Sequence, residues 1–406
     1  MKKLNISAPV RFIVWGLLPL LIFGISLPFF STHPMNYAKE LIDLCLTWFI
    51  VYSIGFLIPF ILLRRIWFVI FITLFNASLF FKLSFYYLYN SKLTLSAFYI
   101  LFETNKNEAT EYLTVYLDWF VVLVFMLIGF ALYKQFRLLF SKNPANYSLF
   151  LYNRLDLRNL FIGLLLIAGV LFSGVVIQKK LMAYNTYYTV KNAYLAYEEM
   201  QQVFQSNLAK PLSPNFNNVK SEDAPQTYVV VIGESTTSKN MSLYGYHRKT
   251  NPRLEEIQDD LLLFENVIAP HAHTIPSLNK MFTLSNYENP EALELGSAIQ
   301  LANAAGFETF WISNQQPLGI YENMVTLLSK ACDLQLFISE ENLQYGSYDE
   351  KLLPPLATAL QHAAPKKLIF LHLIGTHSVY KHRYPKELTY LKIRHKPSFL
   401  LLQPSH

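Results

Sequence analysis

Two residues forty positions apart could do chemistry together. Glu234 closes the strand-like run Tyr228-Val229-Val230-Val231-Ile232-Gly233, and Thr274 opens the run Thr274-Ile275-Pro276-Ser277-Leu278. A carboxylate just past a strand can reach over a sheet edge and bind a divalent cation. A hydroxyl at a helix start lies where backbone N–H groups and the helix dipole receive a phosphate, and Pro276 suits a first helical turn. Threonine is a poor nucleophile near neutral pH, so it needs a base or a metal to act as an alkoxide. Plainer roles fit the same residues. Glu234 could be an acid ahead of a helix begun by Ser235-Thr236-Thr237, and Thr274 could be only an N-cap. As a pair they point to metal-activated phosphoryl transfer.

Five of the ten histidines, His271, His273, His372, His377 and His382, fall near this region. His372 alternates with apolar neighbours on a strand and is expected to be buried. His377 follows Gly375-Thr376 in a loop and is the better candidate to touch a metal or a phosphate. Cys45 and Cys332, the two cysteines, form no C-x-x-C spacing and fall in different compartments, so no intrachain disulfide is expected.

The elements that position these residues come in two kinds. Only 15% of residues are charged, against about 25% in ordinary soluble domains, and the deficit lies in the first 180 positions. Five apolar runs near 11–30, 43–63, 66–89, 113–133 and 159–178 each suffice for a helical span of about 20 residues. The first lacks a small-residue cleavage pattern and reads as a retained anchor. Lys2, Lys3 and Arg11, then Arg64-Arg65 in the turn between spans two and three, then Lys134, Arg137, Lys142, Arg154 and Arg158, mark one side as cytoplasmic. An odd number of spans puts the remainder of the chain on the opposite face, the periplasm of a bacterium, with the spans in the inner membrane. Tyr86, Tyr87 and Tyr89 suit an interfacial anchor. No ionisable residue sits mid-span except Lys82; it is near an end and is expected to snorkel, which weakens the transporter alternative. The net charge of +6 shows no basic stripe interleaved with aromatics, so nucleic acid is not an expected partner.

The chain therefore divides into a transmembrane domain (1–180), an interfacial helix and polar linker (181–226), and a catalytic domain (227–406). Strand-like runs at 227–233, 308–313, 367–374 and 261–268 alternate with helical patterns at 252–258, 277–284, 291–305 and 351–362. That order predicts an α/β domain with a mostly parallel sheet, whose ligands gather at the carboxyl ends of strands. Glu234 and His377 both lie just past such ends.

In combination, Gly233-Glu234-Ser235-Thr236, Ser242-Leu243-Tyr244-Gly245-Tyr246 with Thr250-Asn251-Pro252, Thr274-Ile275-Pro276-Ser277, and His372-x-x-Gly375-x-His377 with Arg383-Tyr384-Pro385 resemble the bacterial phosphoethanolamine transferases. These are sulfatase-like members of the alkaline phosphatase superfamily. The resemblance implies that Thr274 accepts phosphoethanolamine from phosphatidylethanolamine and that Glu234, with Thr274, binds a zinc ion. It implies that His377 contacts the phosphate or a second zinc. The covalent threonine intermediate would pass its group to lipid A or a core sugar of lipopolysaccharide.

The family also carries an Asp-His pair within an Asp-His-Gly-Glu motif, which does not occur here. Two donors then cover two of four tetrahedral positions. The segment from Lys392 to Leu402 does not resemble the family, so the expectation is a C-terminally truncated member, through a frameshift near residue 390. Two other readings stand beside it: a phosphoglycerol transferase of the same superfamily, and a catalytically inactive membrane remnant. A sulfatase is disfavoured, because no Cys/Ser-x-Pro-x-Arg motif surrounds Thr274.

Overall fold

The structure is a computed structural model. It describes residues 8–385 apart from 31–33, 95–96, 99–103, 105–108, 111, 114–116, 142–156, 218, 220, 272–273, 316–323, 339–347, 378–379 and 381–382. Lys2, Lys3, Lys142, Arg154, His273, His382 and the tail Lys392–Leu402 lie outside the described residues. The chain forms two compact units, one of residues 1–102 and 112–198, the other of residues 103–111 and 199–406.

Among the described residues of the first unit, five helices are long and apolar enough to cross a membrane. They are α1 (Ala8–Phe30), α2 (Pro34–Leu57), α3 (Ile61–Tyr89), α4 (Trp119–Leu139) and α5 (Leu157–Val176). The number expected from hydropathy is observed, and several boundaries move. The second span starts at Pro34 rather than near 43, so that Glu40 and Asp43 lie inside the helix and are buried. The fourth starts after Asp118, whose carboxylate accepts from the backbone N–H groups of Phe120 and Val121 at 2.9 and 3.1 Å, an N-cap that fixes the boundary.

Arg64 and Arg65 do not form a turn between spans; they lie in the first turns of α3. Arg64 donates to the carbonyls of Ile58 (2.9 Å) and Pro59 (3.1 Å), and Arg65 to that of Leu139 at the end of α4 (3.3 Å). Both cations thereby satisfy carbonyls beyond or at helix C-termini, where the dipole favours positive charge. Aromatic rings fill the bundle interior, with Phe12, Tyr52 and Phe68 in one cluster and Phe23, Tyr37 and Tyr86 in another. Small residues admit them: a Cβ on Gly16 would meet the Tyr52 hydroxyl at 2.0 Å, and one on Gly55 the Phe68 ring at 2.3 Å.

Lys82 departs from expectation. Its Nζ does not snorkel to water but is buried at 1% exposure, 3.3 Å from Asp43 and 3.9 Å from Glu40. Asp43 also accepts from Asn185 at 2.8 Å. Asn185 precedes α6 (Thr186–Val203) and accepts from the Tyr187 N–H at 3.1 Å, opening that helix. Burying charge is costly unless it is paired. Here both acids on α2 face the one lysine on α3, which hydropathy alone could not reveal.

The second unit holds a four-stranded, all-parallel sheet in the order β1-β4-β2-β3, with β1 Gln226–Ile232, β2 Glu308–Ser313, β3 Leu334–Phe337 and β4 Lys366–His372. Phe310, Ile312, Ile369 and Leu371 pack on one face with Leu352 and with Ala359 of α10 (Leu353–Gln361). Trp311 and Phe370 stack toward Phe282 of α7 (Thr274–Phe282) on the other.

The expected strand at 261–268 is not formed. It runs as irregular chain with Leu262, Phe264, Val267 and Ile268 exposed, and no described strand lies beside it to complete a ladder. The single helix expected at 291–305 is split. Gly296 takes φ +127°, after which Ser297 and Gln300 form a capping box that opens α8 (Ala298–Ala304). Two short elements escaped the sequence pattern, β3 and α9 (Met324–Ser329). Each is too short to show a period.

Candidate active site

Strand register sets the site. Ile232 of β1 pairs with His372 of β4, which pairs with Ser313 of β2, so all three strands end on one line. Each strand then delivers polar residues just past that line: Gly233-Glu234 from β1, Asn314-Gln315 from β2, and Gly375-Thr376-His377 from β4.

Thr274 is the first residue of α7 and its hydroxyl donates to Glu234 Oε1 at 3.3 Å. The two residues singled out from sequence are thus brought together across forty positions. The same carboxylate oxygen accepts from Gln315 Nε2 at 2.6 Å, and that amide also donates to the Leu373 carbonyl at 2.9 Å. Burial raises the pKa of Glu234; the hydrogen bonds from Gln315 and Thr274 and the charge of Arg383 oppose the shift. A carboxylate in that setting is more basic than a solvated one. It is suited to accept a proton or a cation.

His377 sits in the turn after β4, its N–H bonded to the Ile374 carbonyl at 3.0 Å. Its Nδ1 lies 3.4 Å from Nη2 of buried Arg383. Burial, aided by Arg383, pushes its pKa down to about 4, so the ring is neutral at neutral pH, with the Nδ1 lone pair accepting from Arg383 and Nε2 carrying the hydrogen.

His372 stays inside the sheet at 0% exposure, as its alternation with apolar neighbours suggested, with Nδ1 3.2 Å from Ser313 Oγ. Burial pushes its pKa down to about 4 from an ordinary 6.5. The unfolded chain therefore takes the proton first. The contribution of neutral His372 is complete above about pH 6.5 and is lost as pH falls toward 4, by roughly 3 kcal/mol. Thermal unfolding of the detergent-solubilised chain should show that loss, and His372→Gln should flatten it.

Sequence reasoning passed over three residues. Gln315 is one. Asp349 is another: its carboxylate accepts from the N–H groups of Ile374 (3.0 Å) and Gly375 (2.8 Å) and from Asn314 Nδ2 (2.8 Å). It clamps the loop that carries His377, and a Cβ on Gly375 would strike it at 2.6 Å. Asn314 is the third. None belongs to a spacing motif, but an Asn-Gln pair directly after a buried strand was a visible signal.

Ser242, Thr250 and Asn251 bond to one another, as in Ser242 Oγ to Asn251 Oδ1 at 2.8 Å, so that motif builds a turn rather than a reactive group. Thr236 and Thr376 hydroxyls meet at 2.8 Å and tie the loops after β1 and β4.

A metal was implied by the donors. Glu234 and Thr274 supply two oxygens in contact, and among the described residues no cluster of three His, Cys, Asp or Glu side chains is poised to hold an ion. That pair does not by itself close a tetrahedral cage.

Residues 226–390 match the family described as Sulfatase. This segment is a sulfatase-family domain. The chain is 34% identical over 375 residues to the phosphoethanolamine transferase CptA of Salmonella typhimurium, covering 83% of this chain and 61% of that protein. It therefore spans about three-fifths of that relative's length. It also shares its fold with the integral membrane lipooligosaccharide phosphoethanolamine transferase A of Neisseria meningitidis, with TM-score 0.60 at 17% identity over 94% of this chain and 72% of that one. A periplasmic domain of EptC from Escherichia coli, solved in complex with Zn, is 36% identical over 45% of this chain and 53% of its own length, with TM-score 0.41. The expected architecture holds: five apolar helices followed by a sulfatase-like domain with a parallel sheet.

Replacing Gln315 by leucine tests the geometry. It removes a hydrogen bond to a charged carboxylate, worth about 1.5–3 kcal/mol, and frees Glu234 to turn from Thr274. Any transfer activity should fall by about tenfold or more, and the unfolding temperature should fall by several degrees.

Proposed function

We propose that the protein is a transferase that moves phosphoethanolamine from phosphatidylethanolamine to a lipopolysaccharide component, lipid A or a core sugar. The observation that carries the reading is the Thr274 hydroxyl bonded to Glu234 at the start of a helix, on the carboxyl edge of a parallel sheet. CptA, 34% identical over 375 residues, is named a phosphoethanolamine transferase.

Thr274 Oγ attacks the phosphorus of the donor, forming a phosphodiester to the threonine and breaking the bond to diacylglycerol. The threonine proton passes toward Glu234 and ends on the departing diacylglycerol oxygen. An acceptor hydroxyl then attacks the same phosphorus, the bond to Thr274 Oγ breaks and the acceptor's proton ends on that oxygen, so one difficult displacement becomes two easier ones. His377 follows β4, and Arg383, 3.4 Å from it, acts electrostatically on Glu234; in this reading both supply contacts for the phosphate oxygens. A divalent metal, zinc by family resemblance, would be held by Glu234 and Thr274 with further donors, and would lower the pKa of the hydroxyl. In this reading the spans lie in the inner membrane with the catalytic domain in the periplasm.

The test is expression in a bacterial host lacking its own transferases, followed by mass spectrometry of lipid A and core oligosaccharide. A phosphoethanolamine-sized addition supports the reading. No addition despite good membrane expression overturns it, and a phosphoglycerol-sized addition replaces it with the phosphoglycerol reading.

A further inference from the structure

α3 runs from the arginine pair Arg64-Arg65 at one end of the helix bundle to Tyr86 and Tyr89 at the other. At that second end the buried charges have a visible task. Lys82 Nζ donates to the backbone carbonyl of Tyr184, and the Tyr184 hydroxyl donates to Asn36 Oδ1 at 2.9 Å. The neighbouring Asn185 is held by Asp43. One aromatic ring is therefore fixed through its backbone, its hydroxyl and its neighbour.

Two further lysines converge on that ring. Lys92 Nζ lies 4.9 Å from its centroid and Lys39 Nζ lies 5.5 Å from it. Neither forms an ion pair with a described carboxylate: Glu40 and Asp43 are both turned to Lys82. Glu40 is within electrostatic reach of Lys92 but makes no contact with it. A ring face rewards a cation modestly, about 0.5–1 kcal/mol at exposed sites, and two cations near one ring repel each other. Two ammonium groups beside one fixed ring, neither in an ion pair among the described residues, call for an anion.

The surroundings say which anion. Tyr184 closes the apolar span Leu157–Tyr184, at the level where tyrosines meet headgroups. Along the same span Leu164, Leu171, Phe172 and Val175 are exposed and would face acyl chains. A phosphate tethered to two acyl chains satisfies the lysines and the apolar flank together; a free phosphate satisfies only the first. We propose that Lys39, Lys92 and the Tyr184 ring form a binding site for the phosphate of a membrane phospholipid. This goes beyond the transfer reading and stands without it.

The full chain, purified in a detergent without phosphate, is titrated with phosphatidylethanolamine and followed by native mass spectrometry. The parent protein should retain the lipid, and Lys39→Gln with Lys92→Gln should weaken retention about tenfold or more. Lys39→Arg with Lys92→Arg should restore it. Lys179→Gln with Lys180→Gln, at exposed lysines nearby in sequence, should leave it unchanged. Diacylglycerol should not bind, and inorganic phosphate should not displace the lipid. Equal retention by the glutamine pair, an equal loss at Lys179 and Lys180, or displacement by inorganic phosphate each overturns the proposal. If the glutamine pair fails to fold, the single variants are read instead, and retention like that of the parent in both overturns it.

Discussion

Thr274→Ala should remove the proposed phosphoethanolamine addition while leaving the protein in the membrane at its usual level. The hydroxyl is the nucleophile in the proposed two-step transfer, and alanine offers no atom to hold the group between steps. Losses for removal of a covalent nucleophile reach several orders of magnitude, because residues that act as a unit fail together. The fold should tolerate the change. Thr274 is only the first residue of α7, whose burial comes from Leu278 and Phe282. Thr274→Ser separates the roles: it keeps an oxygen 3.3 Å from Glu234 and should retain measurable transfer. Full activity in Thr274→Ala would sink the nucleophile assignment, whereas equal loss in the serine variant would assign the residue a packing role.

The second large effect lies in the first unit. Lys82→Met should destabilise the helix bundle by about 3–5 kcal/mol, the usual range when one partner of a buried ion pair is removed. Methionine has similar length and suits an apolar interior, so the loss is electrostatic: Glu40 and Asp43, each 1% exposed, would remain without their cation. The variant also frees the Tyr184 carbonyl that Lys82 holds. Combining Lys82→Met with Glu40→Gln and Asp43→Asn should recover most of the stability, since neutral amides need no counter-ion. Thermal unfolding in detergent reads both variants. A wild-type midpoint for Lys82→Met alone would show that the three groups are not coupled.

Lys82 also shows where one-dimensional reading stops. A hydropathy window treats a charge near a span end as free to reach water, and it starts the second span at Asp43, leaving Glu40 outside. The helices instead turn those acids inward, and pairing lowers the cost of burying all three. Partners on α2, α3 and the segment before α6 are far apart in sequence, so no local pattern carries the information. The same holds for Asp349 and Gln315. Their side chains gain meaning from the backbone N–H groups and the carboxylate they meet, at separations of 25 and 81 residues respectively.

Sequence alone determined the five apolar helices, the parallel α/β domain behind them, and the candidate pair Glu234 and Thr274. These rest on local rules: span length against bilayer thickness, apolar runs ending in polar residues, and proline in a first helical turn. Tertiary structure decided that the hydroxyl and carboxylate meet, because only the register of β1, β4 and β2 ends three strands on one line. It decided that His377 faces Arg383. It also decided that 261–268 stays irregular, since a strand needs a neighbour with free backbone groups as much as it needs β-formers.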